Sequence, residues 1–222
     1  MRKIIMYLSL AVLAVSCGDD DSGASGKVPV QITMTSEDDA LDNVYQFQYD
    51  SRNRLKSYTR SGGQDLAYSF EYGDQQLPQS VTITGDIEAS VQFAYDEQDR
   101  LISFDSGGVP TTITYPTENS FVIGALSGTL STSGDLQTLQ TLLFSYGSEK
   151  GAFANVKGVN PIVMAFLENN MPYFASKKAL TALTNSQNPA LSTTVTHTFD
   201  QNLPVMAQVQ GGSTFVMSIT YE

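Results

Sequence analysis

Between Val44 and Phe104 apolar and polar positions alternate with a period of two, and a short polar turn interrupts the alternation three times. The copies read VYQFQYDSRNRLKSYT, AYSFEYGDQQLPQSVTI and SVQFAYDEQDRLISF, and Tyr49, Tyr72 and Tyr95 fall 23 residues apart. Strand side chains alternate between two faces. In the third copy Val91, Phe93 and Tyr95 therefore share one face, and Gln92 and Ala94 share the other. Asp96-Glu97-Gln98-Asp99 supplies a turn whose carboxylates can accept backbone N–H groups two residues on, and Leu101 restarts the apolar run. The first copy uses Tyr45, Phe47, Tyr49, the turn Asp50-Ser51-Arg52-Asn53, and Leu55. The second uses Leu66, Tyr68, Phe70, Tyr72, the shorter turn Gly73-Asp74-Gln75-Gln76, and Leu77. This is one strand–turn–strand unit used three times, with one face buried and one polar, the antiparallel pattern. A fourth copy, HTFDQNLPVMAQV, lies near the end, so the repeat predicts one meander and not two domains.

Alternation continues beyond the repeats. Thr111, Ile113 and Tyr115 form a run that Pro116 closes, because proline has no N–H for the ladder. Phe121 to Leu130 is one long apolar run with Gly124 and Gly128 marking a bend or bulge. Leu136 to Tyr146 reads as a strand with Leu142, Phe144 and Tyr146 on one face, followed by a loop, YGSEKGAFANV. Asn160-Pro161 opens one short helix, near 161–169, with Asn160 as cap and Pro161 in the first turn. Ile162, Val163, Phe166 and Leu167 give the helix a broad apolar side, and Pro172 follows its end. A helix this short needs tertiary packing, so it is expected to plug or cap the sheet. Ala179–Thr184, which reads as a strand or a second helical turn with strand preferred, then Leu191–Phe199, Leu203–Val209 and Phe215–Tyr221 complete the meander, the last two joined at Gly211-Gly212. The fold class is all-β: an antiparallel meander of repeated hairpins, curved or barrel-like, with one short helix.

The first residues carry an address. Arg2 and Lys3 precede an apolar stretch, Ile4 to Val15, that is short for a bilayer span. Ala14-Val15-Ser16-Cys17 resembles a bacterial lipobox in the looser form found in Bacteroidetes lipoproteins, and Cys17 is the sole cysteine. The domain reading is a signal peptide at 1–16, an acidic tether at 17–28 and a single β-meander domain at 29–222. The resemblance implies cleavage before Cys17 and acylation there, each buried methylene contributing about 0.8 kcal/mol to anchoring on a membrane. Asp19-Asp20-Asp21 and the Ser/Gly-rich residues after it cannot bury apolar area. An acidic run just after the cysteine resembles a surface-export signal and reads equally as a solvated spacer; it slightly favours the cell-surface face of the outer membrane over the periplasmic one. Removing Arg2 and Lys3 from twelve basic residues leaves ten against 23 acidic ones, a net charge of −13. That charge speaks against nucleic-acid partners. A lone cysteine excludes an intrachain disulfide, so the fold relies on its core.

The units "aromatic-x-Tyr-Asp-x-x-x-Arg-Leu", the YGSEKGAF loop, the short helix, YFASKK and the closing FDQNLP…ITYE hairpin resemble Bacteroidetes lipoproteins, domains of unknown function described as having a porin-like fold. The resemblance spans Val30 to Glu222 and implies a long antiparallel meander, curved or barrel-like, without an established activity. Ser176-Lys177-Lys178-Ala179-Leu180 departs from the family's usual Ser-Lys-Asn-Leu-Pro. YDEQDRL also resembles, more weakly, the tyrosine-aspartate repeats of Rhs-type surface proteins.

Candidate chemistry is sparse. His197, the single histidine, is in register with Val195 and Phe199 and faces the interior, as a structural side chain. One histidine and one lipidated cysteine do not make a zinc set, and neither metal nor cofactor is expected. Glu37-Asp38-Asp39, Asp50, Asp74, Asp96 and Asp99 are the carboxylate candidates, but a glycosidase needs two at a fixed separation, and a turn aspartate has a structural task. Ser127 lacks the flanking glycine of a nucleophile elbow, and no nucleotide-binding glycine motif is present. Tyr45, Phe47, Phe70 and Phe93 fall on the core face, whereas Tyr58, of opposite parity to Leu55 and Ser57, is the candidate exposed aromatic. The leading reading is a non-enzymatic, lipid-anchored envelope protein that binds a ligand or a surface partner. Alternatives are a glycan-binding accessory lipoprotein, supported by compartment alone, and a carrier of an apolar molecule in a half-barrel cavity of a few hundred Å³ with the helix as lid. An integral membrane barrel would need strands of about 9–11 residues and an apolar outer band.

Overall fold

The computed structural model describes residues 26–37 and 42–222. The signal segment, Cys17 and most of the tether, with Asp38 and Asp39, lie outside the described residues. Sixteen strands follow in order: β1 (Pro29–Thr35), β2 (Asn43–Tyr49), β3 (Leu55–Ser61), β4 (Leu66–Glu71), β5 (Ser80–Gly85), β6 (Ala89–Tyr95), β7 (Leu101–Asp105) and β8 (Thr111–Thr117). Then come β9 (Ser120–Ile123), β10 (Leu126–Leu130), β11 (Leu136–Leu139), β12 (Leu142–Lys150), β13 (Lys178–Asn185), β14 (Thr193–Asp200), β15 (Leu203–Gly211) and β16 (Phe215–Tyr221). Each strand pairs antiparallel with the next, and β1 pairs with β16, so the meander closes into a barrel. Closure removes the sheet edges. The barrel is complete within Pro29–Tyr221, and helix α1 (Pro161–Leu167) lies in the connection between β12 and β13.

Apolar residues face inward and polar ones outward. Ile32, Met34, Tyr45, Phe47, Tyr68, Phe70, Val81, Met217 and Ile219 are buried, while Gln46, Gln48, Thr59, Ser69, Thr82, Thr112, Thr194, Gln208 and Ser218 between them are exposed. An apolar lumen cannot stay wet, and the chain fills it from within. The β12–β13 connection, residues 151–177, turns into the barrel and buries Ala152, Phe153, Val156, Ile162, Val163, Met164, Met171 and Phe174. Phe153 packs edge-on against Phe47 at 5.3 Å, Phe174 lies 5.1 Å from Tyr45, and Tyr173 meets Phe215 at 5.1 Å. At the root of this plug Gly151 passes so close to the Ser176 carbonyl that a Cβ has no room.

The repeat has a physical basis at the end of the barrel where β1 begins and β16 ends, here the proximal end. Tyr72 at the end of β4 donates to the Leu55 carbonyl at 2.7 Å, and Tyr115 on β8 to Leu101 at 2.9 Å. Tyr49, Tyr146 and Tyr221 do the same to Pro29, Leu136 and Pro204 on their preceding strands. Burial raises these phenols above their ordinary pKa, so they remain donors. The intervening turns are built alike. Asp50 accepts from the Arg52 and Arg54 N–H groups and pairs with Arg54 Nε at 2.7 Å; Asp96 accepts from Gln98 and Arg100 and pairs with Arg100 Nε at 2.7 Å. Asn53 and Asp99 both take φ of 60°. Arg54 then covers the Tyr72 ring at 4.4 Å and Arg100 the Tyr115 ring at 4.7 Å. Burial alone would raise the Asp50 carboxyl, but hydrogen bonds from Arg54 and Arg52 outweigh it and hold it below the usual range.

Several local expectations are corrected. Phe121–Leu130 is a hairpin, β9 and β10, turning at Gly124 with φ of 58°. Leu136–Tyr146 is likewise two strands, β11 and β12, separated by Gln140-Thr141, and β12 runs on through the start of the expected loop to Lys150. Pro116 lies inside β8, where the ladder to β9 is irregular between Thr114 and Thr117, a place at which a strand tolerates proline. The turn of the second copy is long, from Tyr72 to Gln79, with β5 starting at Ser80 and not at Leu77. Tyr58 is 1% exposed and belongs to the core. Its parity is inverted by a bulge: Tyr49 pairs with Leu55 but Gln48 with Ser57, so Lys56 is the extra residue and Tyr58 meets Phe47 inside.

Two phenols give a paired test. Tyr72→Phe leaves the buried Leu55 carbonyl without this donor and should cost about 1–2 kcal/mol. Tyr95 has a buried hydroxyl without a partner, so Tyr95→Phe should change stability by no more than about 0.5 kcal/mol. Urea midpoints of the two variants check this, and equal losses would contradict the hydrogen-bond assignment.

Candidate functional site

Polar contacts tie one side of the plug to β2–β4. Arg60 Nη1 on β3 lies 2.6 Å from Glu168 Oε2, just past α1, and the Glu168 side chain is 3% exposed. Asn170 Nδ2 donates to the Tyr45 hydroxyl at 3.2 Å, and the Tyr68 hydroxyl faces the Leu167 carbonyl at 3.4 Å. Asp135, also buried, receives the Lys177 N–H at 2.7 Å where the plug rejoins the wall. Asn160 Oδ1 accepts from Ile162 and Val163 N–H, fixing the start of α1 as its sequence predicts.

The other side of α1 leaves a gap because the wall residues shrink. Tyr58 and Tyr68 are cross-strand partners stacked at 4.1 Å. In the next strands Tyr68 faces Ile83, and Ile83 faces Ala89. With α1 held toward the tyrosines, a cavity of about 300 Å³ remains against β5–β7. Ile83, Ala89, Val91, Phe93, Leu101, Phe104, Val163, Phe166 and Leu167 line it, with Ser106 as the one polar side chain. Ile83–Ala89 is the last pair before the β5–β6 turn, and Ser106 lies in the β7–β8 loop. The cavity therefore opens at the end of the barrel opposite Pro29 and Tyr221, the distal end. Phe166 stands at that mouth, 42% exposed and 5.6 Å from the Phe104 ring. Apolar concavities of roughly 300–1,000 Å³ are the usual size of small-molecule sites.

The sequence candidates are dispersed. His197 Nε2 lies 2.7 Å from the Leu180 carbonyl and so donates to it, bridging β14 to β13, with Phe199 at 5.6 Å. Asp50 and Asp96 are occupied in their own turns. Ser127 is exposed on the outer wall. Among the described residues no three histidine, cysteine, aspartate or glutamate side chains gather as metal ligands. Of the predicted core aromatics, Tyr45, Phe47 and Phe70 are buried, while Phe93 lines the cavity. The sequence did not reveal the Arg60–Glu168 pair, whose members lie 108 residues apart. The cavity had a faint signature, Val91 standing where the first two copies carry Tyr45 and Tyr68.

These features define a 16-strand up-and-down β-barrel whose own chain packs into its lumen and leaves an apolar cavity beside α1. No family model and no curated protein matches the sequence. Among solved structures, the chain is similar to a porin-like protein from Bacteroides uniformis, at 15% identity and a TM-score of 0.47, covering 87% of this chain and 98% of that one. It is also similar to a porin-like protein from Bacteroides vulgatus, at 10% identity and a TM-score of 0.42, covering 89% and 99%. Both carry the porin-like description that the sequence resemblance names; the closed barrel itself rests on the strand pairing above.

The ion pair is testable. Removing one member of a buried pair leaves the other uncompensated, at a cost of roughly 3–5 kcal/mol. Arg60→Ala should destabilise by that order in urea unfolding, and adding Glu168→Leu to Arg60→Met should recover most of the loss. An Arg60→Ala change below about 1 kcal/mol would show that the pair does not hold the plug.

Proposed function

We propose that the protein is a non-enzymatic, lipid-anchored envelope protein that holds a small apolar molecule between α1 and β5–β7. The observation that supports this reading is the cavity of about 300 Å³ with a single polar lining residue. The outer wall fits an aqueous setting: its outward side chains are largely Thr, Gln and Ser, and the longest strands have nine residues, whereas a membrane barrel turns an apolar band outward. Anchoring is carried by Cys17 in this reading. Pro29, which the tether precedes, lies at the proximal end, opposite the cavity mouth. The glycan alternative loses its stacking platform, since Tyr45, Phe47 and Phe70 are core residues.

Titration with a neutral apolar fluorophore should show one saturable site, and Ala89→Phe, which fills the cavity, should weaken it at least about tenfold without lowering the unfolding midpoint. Undiminished binding by that variant would contradict the reading. Separately, Cys17→Ala should move the protein from the membrane fraction to the soluble fraction, and retention on membranes would contradict acylation at Cys17.

A further inference from the structure

The mouth of the cavity carries charge of one sign. Asp86 and Glu88 lie in the β5–β6 turn at the distal rim, where Glu88 accepts the Gly85 N–H at 3.5 Å, and Asp105 ends β7 beside Ser106, in register with the outward Gln92. Asp105 accepts the Gly108 and Gly107 N–H groups at 2.7 and 2.9 Å, which hold its carboxyl below the ordinary range and ionised. Asp65 joins the group from the β3–β4 turn, its N–H bound to the Asp86 carboxylate at 3.0 Å. Among the described residues none of these carboxylates is in an ion pair. From Ser61 to Glu149 the single basic residue is Arg100, and it sits at the proximal end with Asp96. Arg60, nearer the mouth, is paired with Glu168.

An apolar ligand entering here would leave its polar end among carboxylates. We propose that the cavity takes a cationic amphiphile, with its hydrocarbon tail between α1 and β5–β7 and an ammonium-type head at the Asp86–Glu88–Asp105 mouth. The inference rests on the apolar-ligand reading above and adds the head group. Opposite charges a few ångströms apart near a protein surface attract, and like charges repel, by enough to separate a cation from an anion of equal tail length by about tenfold or more. Salt should narrow the gap, because the screening length is about 10 Å at 0.1 M.

The test uses the chain from Gly26, which contains every strand of the closed barrel, and compares dodecanol, dodecylammonium and dodecanoate below their micellar concentrations by calorimetry. The expected order is dodecylammonium tightest and dodecanoate weakest. Asp86→Asn with Glu88→Gln should shrink the preference and leave dodecanol unchanged. Ala89→Phe should abolish all three, which separates cavity binding from adsorption to an acidic surface. If dodecanol binds but dodecanoate binds as well as the amine, the head-group inference falls and the cavity reading stands. Amine binding that survives Ala89→Phe would also overturn it, as surface adsorption. If none of the three binds, both readings fall.

Discussion

An apolar lumen must be filled, and the rest of this structure depends on how. A closed ring of 16 strands with Tyr, Phe, Leu, Ile and Met turned inward encloses more apolar surface than its own side chains can cover. The chain resolves this by lengthening one hairpin connection, between β12 and β13, and burying it. The plug is thus part of the hydrophobic core, at roughly 25 cal/mol for each Å² of apolar area removed from water, and is not a gate across an aqueous pore. The polar outer wall is the other half of the same constraint: with the apolar face turned inward, the outward face presents largely Thr, Gln and Ser.

Where the plug sits decides where the cavity lies. Arg60, Tyr45 and Tyr68 hold α1 and the residues after it toward β2–β4 through one ion pair and two polar contacts. The facing strand β6 presents Val91 where the first two copies present Tyr45 and Tyr68, with Ile83 and Ala89 beside it. The same repeat therefore fills one side of the barrel and leaves space on the other. At the proximal end five tyrosines bond carbonyls of preceding strands, Tyr95 does not, and two of the three repeat turns carry matching Asp–Arg pairs.

Much of this is legible in the sequence because it depends on nearest neighbours. Alternation over Val44–Phe104 marks β2–β7, and Asn160-Pro161 marks the start of α1. Errors arise where one residue shifts register. The bulge at Lys56 sends Tyr58 inward against its apparent parity, and Gly124 and Gln140-Thr141 turn what read as single strands into hairpins. The destination of residues 151–177, the closure of β1 on β16 and the Arg60–Glu168 pair are long-range facts, set by which surfaces meet and not by any local pattern.

The most direct measurement is a crystal structure of residues 26–222 under xenon pressure, since dry apolar cavities take up xenon. The account predicts xenon between α1 and β5–β7, bounded by Ala89, Val91, Phe104 and Phe166, with the plug in the lumen. A lumen in which Phe93, Phe104 and Phe166 close on one another and exclude the gas would contradict it.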